Sequence, residues 1–378
     1  MKYKKIKAII SGGGTGGHIF PALSIANKLK ELNPDTEILF VGAEGRMEMD
    51  RIPEAGYKII GLPVAGLQRS LTLSNLALPF KLIKSLRLSK RIIKDFKPDI
   101  AIGVGGYASA PLLWSASRMH IPTLIQEQNS YAGLANKILG KKAKSICVAY
   151  EGMDKFFPSD KIVLSGNPIR KDIIPATEAM ITEGLKFYNL SEDKKHIFIV
   201  GGSLGSKTLN DSMMHWISEG CKGGDGVEIL WQCGRYYLPR VKEFMKEQSK
   251  DERKAEILKN IKFSDFIQRM DLAYAMADIV ISRSGASSIS ELCVAQKACI
   301  FVPSPNVAED HQTHNAMALV NKDAGILVKD SEAVEKLLPT AFDLLANEAK
   351  IASMEKNIGK LAKTNAAEII AEEVFRII

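Results

Sequence analysis

Short runs rich in β-branched residues alternate with segments of helical period along the whole chain, and this alternation restricts the possible folds most. Two such runs end in a glycine-rich loop: Ile6–Gly17 opens the protein, and Ile197–Gly205 begins close to the midpoint of the 378 residues. Alternating strands and helices predict parallel sheets covered by helices on both faces. The sequence therefore predicts an α/β protein with two doubly wound domains facing across a cleft, an organisation that suits its length.

The two halves contain comparable series of candidate strands. In the first half these are Lys7–Ser11, Ile38–Val41, Ile100–Val104, Thr123–Gln126, Ser145–Val148 and Lys161–Leu164. In the second half they are His196–Val200, Glu228–Gln232, Ile261–Phe263, Ile279–Ser282 and Ala298–Val302. Helical periodicity marks segments that include Pro21–Leu32, Ala132–Leu139, Thr208–Ser218 and Ser287–Ala295. Glycine and proline interrupt the pattern at Ser165–Arg170, where we predict a hinge between domains of residues 1–166 and 167–362.

The formal net charge of +8 conceals a difference between the halves. Residues 1–166 carry 24 lysines and arginines against 13 acidic residues, whereas the remainder carries 27 against 30. A basic first half indicates an anionic partner, which the charge alone leaves open as phosphate, a membrane surface or nucleic acid. The composition, with 46% apolar residues, is that of an ordinary folded protein and excludes disorder.

Cysteine use and hydropathy restrict the compartment. Five cysteines without a C-x-x-C pair favour a reducing environment over a disulfide-bonded secreted protein. The apolar run near the N-terminus, Ala8–Ile10, is too short for a signal peptide. The longest uncharged stretch, Ile100–Ser117, contains glycines and Pro111, so it predicts a strand, a loop and a helix start rather than a membrane span.

Three glycine-rich loops each follow a predicted strand and precede a predicted helix: Gly12–Gly17, Gly103–Tyr107 and Gly201–Gly205. Glycine lets the backbone approach an anion closely, and the next helix presents N–H groups and a positive dipole end. A tight turn without a ligand is the alternative for each loop, but three in one chain favour phosphate binding. None matches G-x-x-x-x-G-K-[ST], which argues against a P-loop nucleotidase. An NAD(P) enzyme, with Glu37 or Glu44 on the ribose, stays an alternative.

His18 follows the first glycine loop directly and is the strongest catalytic candidate. An imidazole at a helix start beside an anion site suits a base that activates a hydroxyl, which hydride transfer does not need. A helix cap or a partly buried imidazole is the alternative interpretation. His311 and His314 are three residues apart, but no third ligand accompanies them, so we interpret them as polar contacts and predict no metal.

The second half carries two polar clusters after predicted strands. Ser282–Glu291 combines small residues and hydroxyls at a helix start, and Glu291 could accept hydrogen bonds from a ribose diol. Ordinary N-capping by serine is the alternative there. Pro303–Asn306 leads to Glu309–Gln312 with Asn315 following, a set that suits a hydroxyl-rich ligand such as a sugar or, alternatively, a solvated loop.

Leu76–Lys97 is predicted to form a basic amphipathic helix. A helical wheel places on one side Leu82, Ile83, Leu86, Ile92, Ile93 and Phe96. The opposite side carries Lys84, Arg87, Arg91 and Lys94, with Phe80 and Leu88 among them. This face is typical of docking on an anionic membrane surface or of an ordinary solvated helix. Nucleic acid is the third option, but no recognisable module or aromatic stacking set supports it.

The motifs, taken in order, match those of one family. They are Gly13–His18 with Pro21, Gly105–Tyr107, Glu127–Asn129 with Ala132–Leu134, Gly166–Arg170, Gly201–Ser203, Ser282–Ala286 with Glu291, and Asp310–Gln312 with Asn315–Ala316. On these residues nearly the whole chain resembles the MurG family, the bacterial peptidoglycan N-acetylglucosaminyltransferases, whose fold is GT-B with two Rossmann-like domains.

The resemblance implies an activity and its partners. N-acetylglucosamine would pass with inversion from UDP-N-acetylglucosamine to the 4-hydroxyl of MurNAc in lipid I (undecaprenyl-pyrophosphoryl-MurNAc-pentapeptide), giving lipid II. The enzyme would lie peripherally on the cytoplasmic side of the inner membrane, on its anionic surface, without nucleic acid. Another GT-B transferase with a different lipid acceptor, or an NAD-linked or nucleotide-binding protein, is the alternative.

The resemblance also implies residue roles. His18 would be the base, with Glu127 as the less favoured candidate. In the donor site, Ser203 and the loop around Ala286 would meet the diphosphate, Glu291 the ribose, Ile267 the uracil and Gln312 the sugar. The donor set is Thr15, Gly16, Gly17, Asn129, Arg170, Ser203, Ile267, Ala286, Ser287, Ser288, Ile289, Ser290, Glu291 and Gln312. The set for the acceptor diphosphate is Gly13, Gly14, Gly105, Gly106 and Tyr107.

The chain departs from the family pattern at two positions. Gln126 stands where the family often has histidine, which removes a second imidazole, and Ser288 replaces the usual threonine but keeps its hydroxyl. No D-x-D signature lies near the glycine loops, so no obligatory cofactor is implied, although Mg²⁺ could assist. The last helix, about residues 363–378, is expected to pack on the first domain.

Overall fold

The protein is described by a computed structural model that covers residues 3–14, 16–64, 78–202 and 204–378. The chain divides into two compact units: an N-terminal unit of Met1–Arg170 with Lys363–Ile378, and a C-terminal unit of Lys171–Ala362. The division therefore follows Arg170, four residues after the boundary predicted from the glycine and proline pattern. Asn167 explains the difference, because its side chain is buried and donates to the carbonyl oxygen of Gln128 in the N-terminal unit (3.0 Å).

The N-terminal unit is built on a parallel sheet. Its strands are β1 (Lys7–Ser11), β2 (Glu37–Ala43), β3 (Lys58–Leu62), β4 (Ile100–Gly103), β5 (Thr123–Glu127), β6 (Ser145–Val148) and β7 (Ile162–Leu164). Its helices are α1 (Gly16–Leu32), α2 (Glu48–Glu54), α3 (Leu78–Phe96), α4 (Ser109–Arg118), α5 (Leu134–Gly140) and, from the end of the chain, α15 (Ala366–Arg376). The strand order is β3-β2-β1-β4-β5-β6-β7, so the order reverses beside β1.

The C-terminal unit repeats this plan. Its strands are β8 (Lys195–Val200), β9 (Val227–Gln232), β10 (Ile261–Ser264), β11 (Ile279–Ser282), β12 (Ala298–Phe301) and β13 (Ile326–Leu327). Its helices are α6 (Glu178–Tyr188), α7 (Lys207–Ser218), α8 (Leu238–Gln248), α9 (Glu252–Leu258), α10 (Met270–Met276), α11 (Ala286–Ala295), α12 (His311–Val320), α13 (Ala333–Leu345) and α14 (Glu348–Gly359). The parallel order β10-β9-β8-β11-β12-β13 again reverses beside the first strand.

Register brings the strand ends that precede the glycine loops to the same level. Ser11, the last residue of β1, pairs with Gly103, the last residue of β4. Ser282 at the end of β11 likewise pairs with Val200 at the end of β8. In an open parallel sheet, ligands bind beyond the carboxyl ends of the strands at the point where the order reverses. Each unit therefore places its loops where such a fold binds ligands.

The predicted α/β architecture with two doubly wound parallel sheets is confirmed, with differences at individual elements. The strand β3 was missed, because it is a half-exposed edge strand that contains Gly61, and β13 is only two residues long. Helix α1 begins at Gly16 rather than Pro21, so the last two glycines of the predicted loop belong to its first turn.

One face of the N-terminal sheet packs against helices from the beginning and from the end of the chain. The members of the core cluster on this face include Ile6, Ala8 and Ile10 around β1, Ile19 and Ile25 of α1, and Ile370, Ala371 and Val374 of α15. Each of these side chains is at most 1% exposed. Helix α15 thus completes a core that the first residues of the chain begin.

The orientation of α3 differs from the helical-wheel prediction. Its buried side is formed by Ser85, Ser89, Ile92 and Ile93, and Leu88 packs against the same core. The prediction that Leu88 lies on the exposed basic face is therefore wrong. Leu82 and Ile83, which the wheel places on the same side as Ile92 and Ile93, are about half exposed. Helix α3 packs against α4, and the Ser115 hydroxyl of α4 donates to the Leu86 carbonyl oxygen (3.5 Å).

We expect Ile370→Ala to destabilise the N-terminal unit by about 2–5 kcal/mol, because it removes a fully buried side chain and leaves a cavity. Denaturant-dependent hydrogen exchange of the β1 and β5 amides would measure the loss. The matched control is Glu368→Ala on the exposed side of the same helix, for which no more than about 0.5 kcal/mol is expected. Equal effects of the two substitutions would contradict the packing of α15.

Candidate active site

The first two glycine loops of the N-terminal unit touch one another beyond the ends of β1 and β4. Gly106 has φ +89°, and a Cβ built on it would lie 2.9 Å from the Gly13 nitrogen, closer than side chains approach backbone. Glycine at this position is therefore required both by the left-handed backbone and by the close approach of the neighbouring loop. The structure brings Gly13 and Gly106, two predicted acceptor residues, into contact.

His18 is the third residue of α1 and is half-buried. Its imidazole lies against the backbone of Gly105, where an added Cβ would lie only 2.6 Å from Nε2. Gly105 has φ +96°, a conformation that side chains disfavour, so this glycine leaves room for the ring. The predicted base and the second glycine loop are therefore adjacent at the reversal of strand order.

Glu48, at the start of α2, is a site residue that the sequence analysis missed. Its side chain is 1% exposed, and its two carboxylate oxygens accept from the backbone N–H groups of Gly14 (2.8 Å) and Ala43 (3.0 Å). Glutamate in the first turn of a helix is usually explained by the helix dipole, so its type and position gave no sign of an inward orientation.

Glu127 ends β5 and is the centre of a hydrogen-bonded loop. One oxygen accepts from the backbone N–H and the side-chain amide of Asn129 (3.1 and 3.3 Å), and the other from Gly133 N–H (3.2 Å) and Asn136 Nδ2 (2.9 Å). Burial raises the pKa of Glu127, although these donors oppose the shift. Because both oxygens already hold donors, the geometry favours a role in shaping the loop around Asn129 over a role as base.

Gln126 is one member of a buried chain of hydrogen-bonded carboxamides. Gln126 Nε2 donates to Asn167 Oδ1 (2.9 Å), and Asn167 Nδ2 donates to the Gln128 carbonyl oxygen (3.0 Å). Gln128 Nε2 in turn donates to the Val104 carbonyl oxygen at the second glycine loop (2.8 Å). Gln126 therefore serves as a buried structural donor, a function that does not depend on titration.

In the C-terminal unit, Gln232 links the third glycine loop to the segment that contains Ile267. Its side chain is 3% exposed, donates to the Gly202 carbonyl oxygen (2.8 Å) and accepts from the Ile267 N–H (2.9 Å). Gln232 is the last residue of β9, and sequence reasoning did not select it. A glutamine that ends a buried strand was the available signal, since a buried carboxamide needs partners on both sides.

Helix α11 presents an open N-terminus at the reversal of strand order in the second sheet. Gly285 precedes it with an extended backbone and no side-chain cap, so first-turn N–H groups of Ala286 and Ser287 point away from the helix. The Ser287 hydroxyl is buried and has no hydrogen-bond partner among the described residues. Ser290 is different, because its hydroxyl donates back to the Ala286 carbonyl oxygen (2.9 Å). Ser288 is half-buried beside it, and Ile289 is a core residue.

Two further predicted donor residues are held by neighbours. Tyr274 donates its hydroxyl to Glu291 Oε2 (3.2 Å), and both side chains are buried. The Gln312 side-chain oxygen accepts from Ser304 N–H (2.9 Å), while its carbonyl oxygen accepts from the Ser284 hydroxyl (2.8 Å). These bonds fix the Glu291 side chain, which belongs to α11, and hold Gln312 beside Ser284, which precedes that helix.

The remaining predicted residues have diverse positions. Gly16 and Gly17 begin α1, whereas Tyr107 and Arg170 are exposed. Thr15 and Ser203 lie outside the described residues, as do positions 76 and 77 of the predicted basic helix. In the parts of the chain that are described, no three His, Cys, Asp or Glu side chains are grouped to hold a metal ion.

Helix α3 carries the surface predicted to face a membrane. Phe80 is 76% exposed, and Leu82 and Ile83 are exposed beside it. The charged members of the surface, all exposed, are Lys84, Arg87, Arg91 and Lys94. We call Phe80, Leu82, Ile83 and these four basic residues the α3 surface. None of the described helices is both long enough and apolar enough to cross a membrane.

Two doubly wound parallel sheets, each with glycine loops at its reversal of strand order, are the arrangement of the GT-B fold. The family model described as glycosyltransferase family 28 N-terminal domain matches residues 8–148, and the C-terminal domain model of that family matches residues 196–373. The chain belongs to glycosyltransferase family 28 and, within it, to the MurG family.

Individual relatives support this membership. A Parabacteroides distasonis protein named UDP-N-acetylglucosamine–N-acetylmuramyl-(pentapeptide) pyrophosphoryl-undecaprenol N-acetylglucosamine transferase is 52% identical, and the match covers 99% of each chain. A Bacteroides thetaiotaomicron protein of the same name is 53% identical, over 99% of this chain and 98% of its own. The crystal structure of Acinetobacter baumannii MurG has a TM-score of 0.76 at 26% identity, covering 99% of this chain and all of that chain.

We expect Glu127→Ala to lower the free energy of unfolding by about 1–3 kcal/mol, because the loop donors lose their buried acceptor. Hydrogen exchange should accelerate at the amides of Asn129 and Gly133. Glu127→Gln, which keeps the shape and one acceptor, should cost less. Unchanged exchange at both amides would contradict the loop-shaping role.

Proposed function

We propose that the protein transfers N-acetylglucosamine from UDP-N-acetylglucosamine to the 4-hydroxyl of MurNAc in lipid I, with inversion, forming lipid II for peptidoglycan synthesis. The observation that carries this proposal is the His18 imidazole against Gly105, where the two loops of the N-terminal unit meet. The names of relatives that are 52–53% identical over nearly the whole chain supply the substrates.

The transfer needs one base and a stabilised leaving group. His18 would accept the proton of the MurNAc 4-hydroxyl as that oxygen forms its bond to C1 of the sugar. The bond from C1 to the UDP oxygen breaks on the opposite face, and UDP leaves with the electron pair. Inversion at C1 follows from this single displacement. A base positioned in this way contributes typically about 10²–10⁴-fold to the rate.

The donor is assigned to the C-terminal unit. The open N-terminus of α11 offers N–H groups and the buried Ser287 hydroxyl to the diphosphate, whose charge grows as UDP departs. Glu291, which accepts a hydrogen bond from the Tyr274 hydroxyl, is assigned to the ribose diol. Gln232 hydrogen-bonds both the Gly202 carbonyl oxygen of the third glycine loop and the Ile267 N–H, which supports the assignment of the uracil to Ile267. The donor roles of Thr15, Gly16, Gly17, Asn129, Arg170, Ser203 and Gln312 stay predictions.

The acceptor diphosphate is assigned to the loops of the N-terminal unit. Gly13, Gly105 and Gly106 expose backbone without side chains at the ends of β1 and β4, and exposed Tyr107 follows them. Gly14 does not fit this assignment, because its N–H donates to Glu48. The proposed reaction uses no obligatory cofactor, and chelation in the transfer assay would measure any contribution of Mg²⁺.

Because the proposed acceptor is a lipid, we propose that the protein associates peripherally with the cytoplasmic side of the inner membrane. The α3 surface supports this proposal, because exposed apolar side chains lie there among four cations. Each basic residue near an anionic bilayer contributes about 1 kcal/mol to binding, and partly inserted apolar side chains add to it. Charge on this surface therefore acts together with the N-terminal unit's affinity for a lipid diphosphate.

His18→Ala should lower kcat for transfer to a lipid I analogue by about 10²–10⁴-fold with little change in UDP affinity, because the base is lost while the donor residues are untouched. Release of UDP from UDP-N-acetylglucosamine that depends on the acceptor would measure transfer. His215→Ala, an exposed histidine of the C-terminal unit, is the control and should retain the full rate. Full activity of His18→Ala, or no acceptor-dependent release by the unaltered protein, would refute the proposal.

Reversing the charge of Lys84, Arg87, Arg91 and Lys94 to glutamate should weaken binding to vesicles of anionic lipid by at least about tenfold, with the loss largest at low salt. Vesicle sedimentation would measure it. The matched control reverses four exposed lysines of the C-terminal unit, Lys186, Lys222, Lys242 and Lys246, and so makes the same change in net charge. If both variants bind equally well, α3 is an ordinary solvated helix.

A further inference from the structure

The buried carboxylate of Glu48 lies against the first glycine loop, where the acceptor diphosphate is proposed to bind. It accepts from the Gly14 N–H (2.8 Å) and the Ala43 N–H (3.0 Å), and the side chain is 1% exposed. A carboxylate that receives two backbone N–H groups occupies the kind of position that an anionic ligand takes in a glycine loop. One of the loop's own donors is therefore used within the protein.

The neighbouring backbone is shaped to admit this side chain. At Gly13, the three atoms nearest to an added Cβ all belong to Glu48, including Cγ at 2.9 Å. At Gly42, on the other side, an added Cβ would lie 2.6 Å from the same Cγ. Neither glycine has a positive φ, so space rather than backbone conformation requires glycine at these two positions. Gly13 and Gly42 together form a slot that Glu48 fills.

The position of the slot connects Glu48 with the residues of the proposed reaction. Gly13 also touches Gly106 of the second loop, and the His18 ring lies against Gly105 of the same loop. Gly14 lies four residues before His18. A carboxylate that fixes Gly14 and fills the space beside Gly13 therefore holds the surface on which both the acceptor diphosphate and the base depend.

We propose that Glu48 is a positioning residue for the acceptor side of the reaction: it fixes the first glycine loop so that Gly13, Gly105 and Gly106 keep the geometry that binds the acceptor diphosphate beside His18. This inference rests on the proposed function. Glu48 does not itself bind the diphosphate, and the Gly14 N–H is not a ligand of it. The carboxylate is fixed rather than displaced by the acceptor, because a side chain that is enclosed between two glycines has no space to leave by.

Charge and shape can be separated by substitution. Glutamine has the size of glutamate, but it has one accepting oxygen, and its amide group would face the second N–H donor. Glu48→Gln therefore removes one of the two bonds while keeping the slot filled. Glu54→Gln, at the exposed end of the same helix, makes the same chemical change without touching the loop and is the control.

The first experiment measures transfer with each substrate varied in turn. Glu48→Gln should raise KM for the lipid I analogue by about tenfold and leave KM for UDP-N-acetylglucosamine unchanged, while Glu54→Gln changes neither. A lower KM for the acceptor would overturn the proposal, because Glu48 would then compete with the diphosphate. An unchanged acceptor KM with a merely reduced rate would also overturn it, since loss of folded protein alone gives that result.

The second experiment does not depend on any activity. Gly13→Ala should lower the Tm of the N-terminal unit by at least about 4 °C when Glu48 is present, because the added methyl group meets its side chain. In a Glu48→Ala background the same substitution should change Tm by no more than about 1 °C. Equal shifts in the two backgrounds would overturn the fitted slot. If the unaltered protein fails to transfer sugar, the proposed function fails while this cycle still tests Glu48.

Discussion

The rest of each unit depends on one central strand that pairs in parallel with a neighbour on each side. The chain continues to the neighbour on one side first and adds the neighbour on the other side later. Strand β1 lies between β2 and β4, and β8 lies between β9 and β11. Because the chain leaves such a strand toward one side and later returns on the other, the loops at its carboxyl end are left uncovered by crossover helices. Backbone N–H groups accumulate at that edge, and glycine there permits a close approach by another loop, an imidazole or an anion.

Much of this arrangement could be predicted because it follows from local chemistry. Strands such as β1, β6 and β11 are short, apolar and bounded by glycine or polar residues, so period and turn residues locate them. His18 could be singled out because a titratable ring directly after a glycine loop is an uncommon combination. The alternation of strands and helices then required parallel sheets, and with them the edge at which the loops meet.

What could not be predicted depends on which way a side chain turns. Glu48 looks like an ordinary first-turn acid, and only the space beside Gly13 and Gly42 shows that it points inward. Gln232 bonds to two segments that are distant in sequence, and no local pattern encodes such a pairing. On α3, the helical wheel groups Leu82 and Ile83 with Ile92 and Ile93, but they are about half exposed, whereas the small polar residues Ser85 and Ser89 are buried. Tertiary contact overrode the amphipathic pattern in that case.

The position of α15 has a consequence for biosynthesis. A ribosome completes the whole C-terminal unit before it reaches Ala366, yet Ile370, Ala371 and Val374 belong to the core that contains β1 and α1. The nascent N-terminal unit therefore waits, with part of its apolar surface uncovered, while almost two hundred further residues emerge. Domains generally mature in order of synthesis, but here the unit that is translated first is the one whose core is completed last.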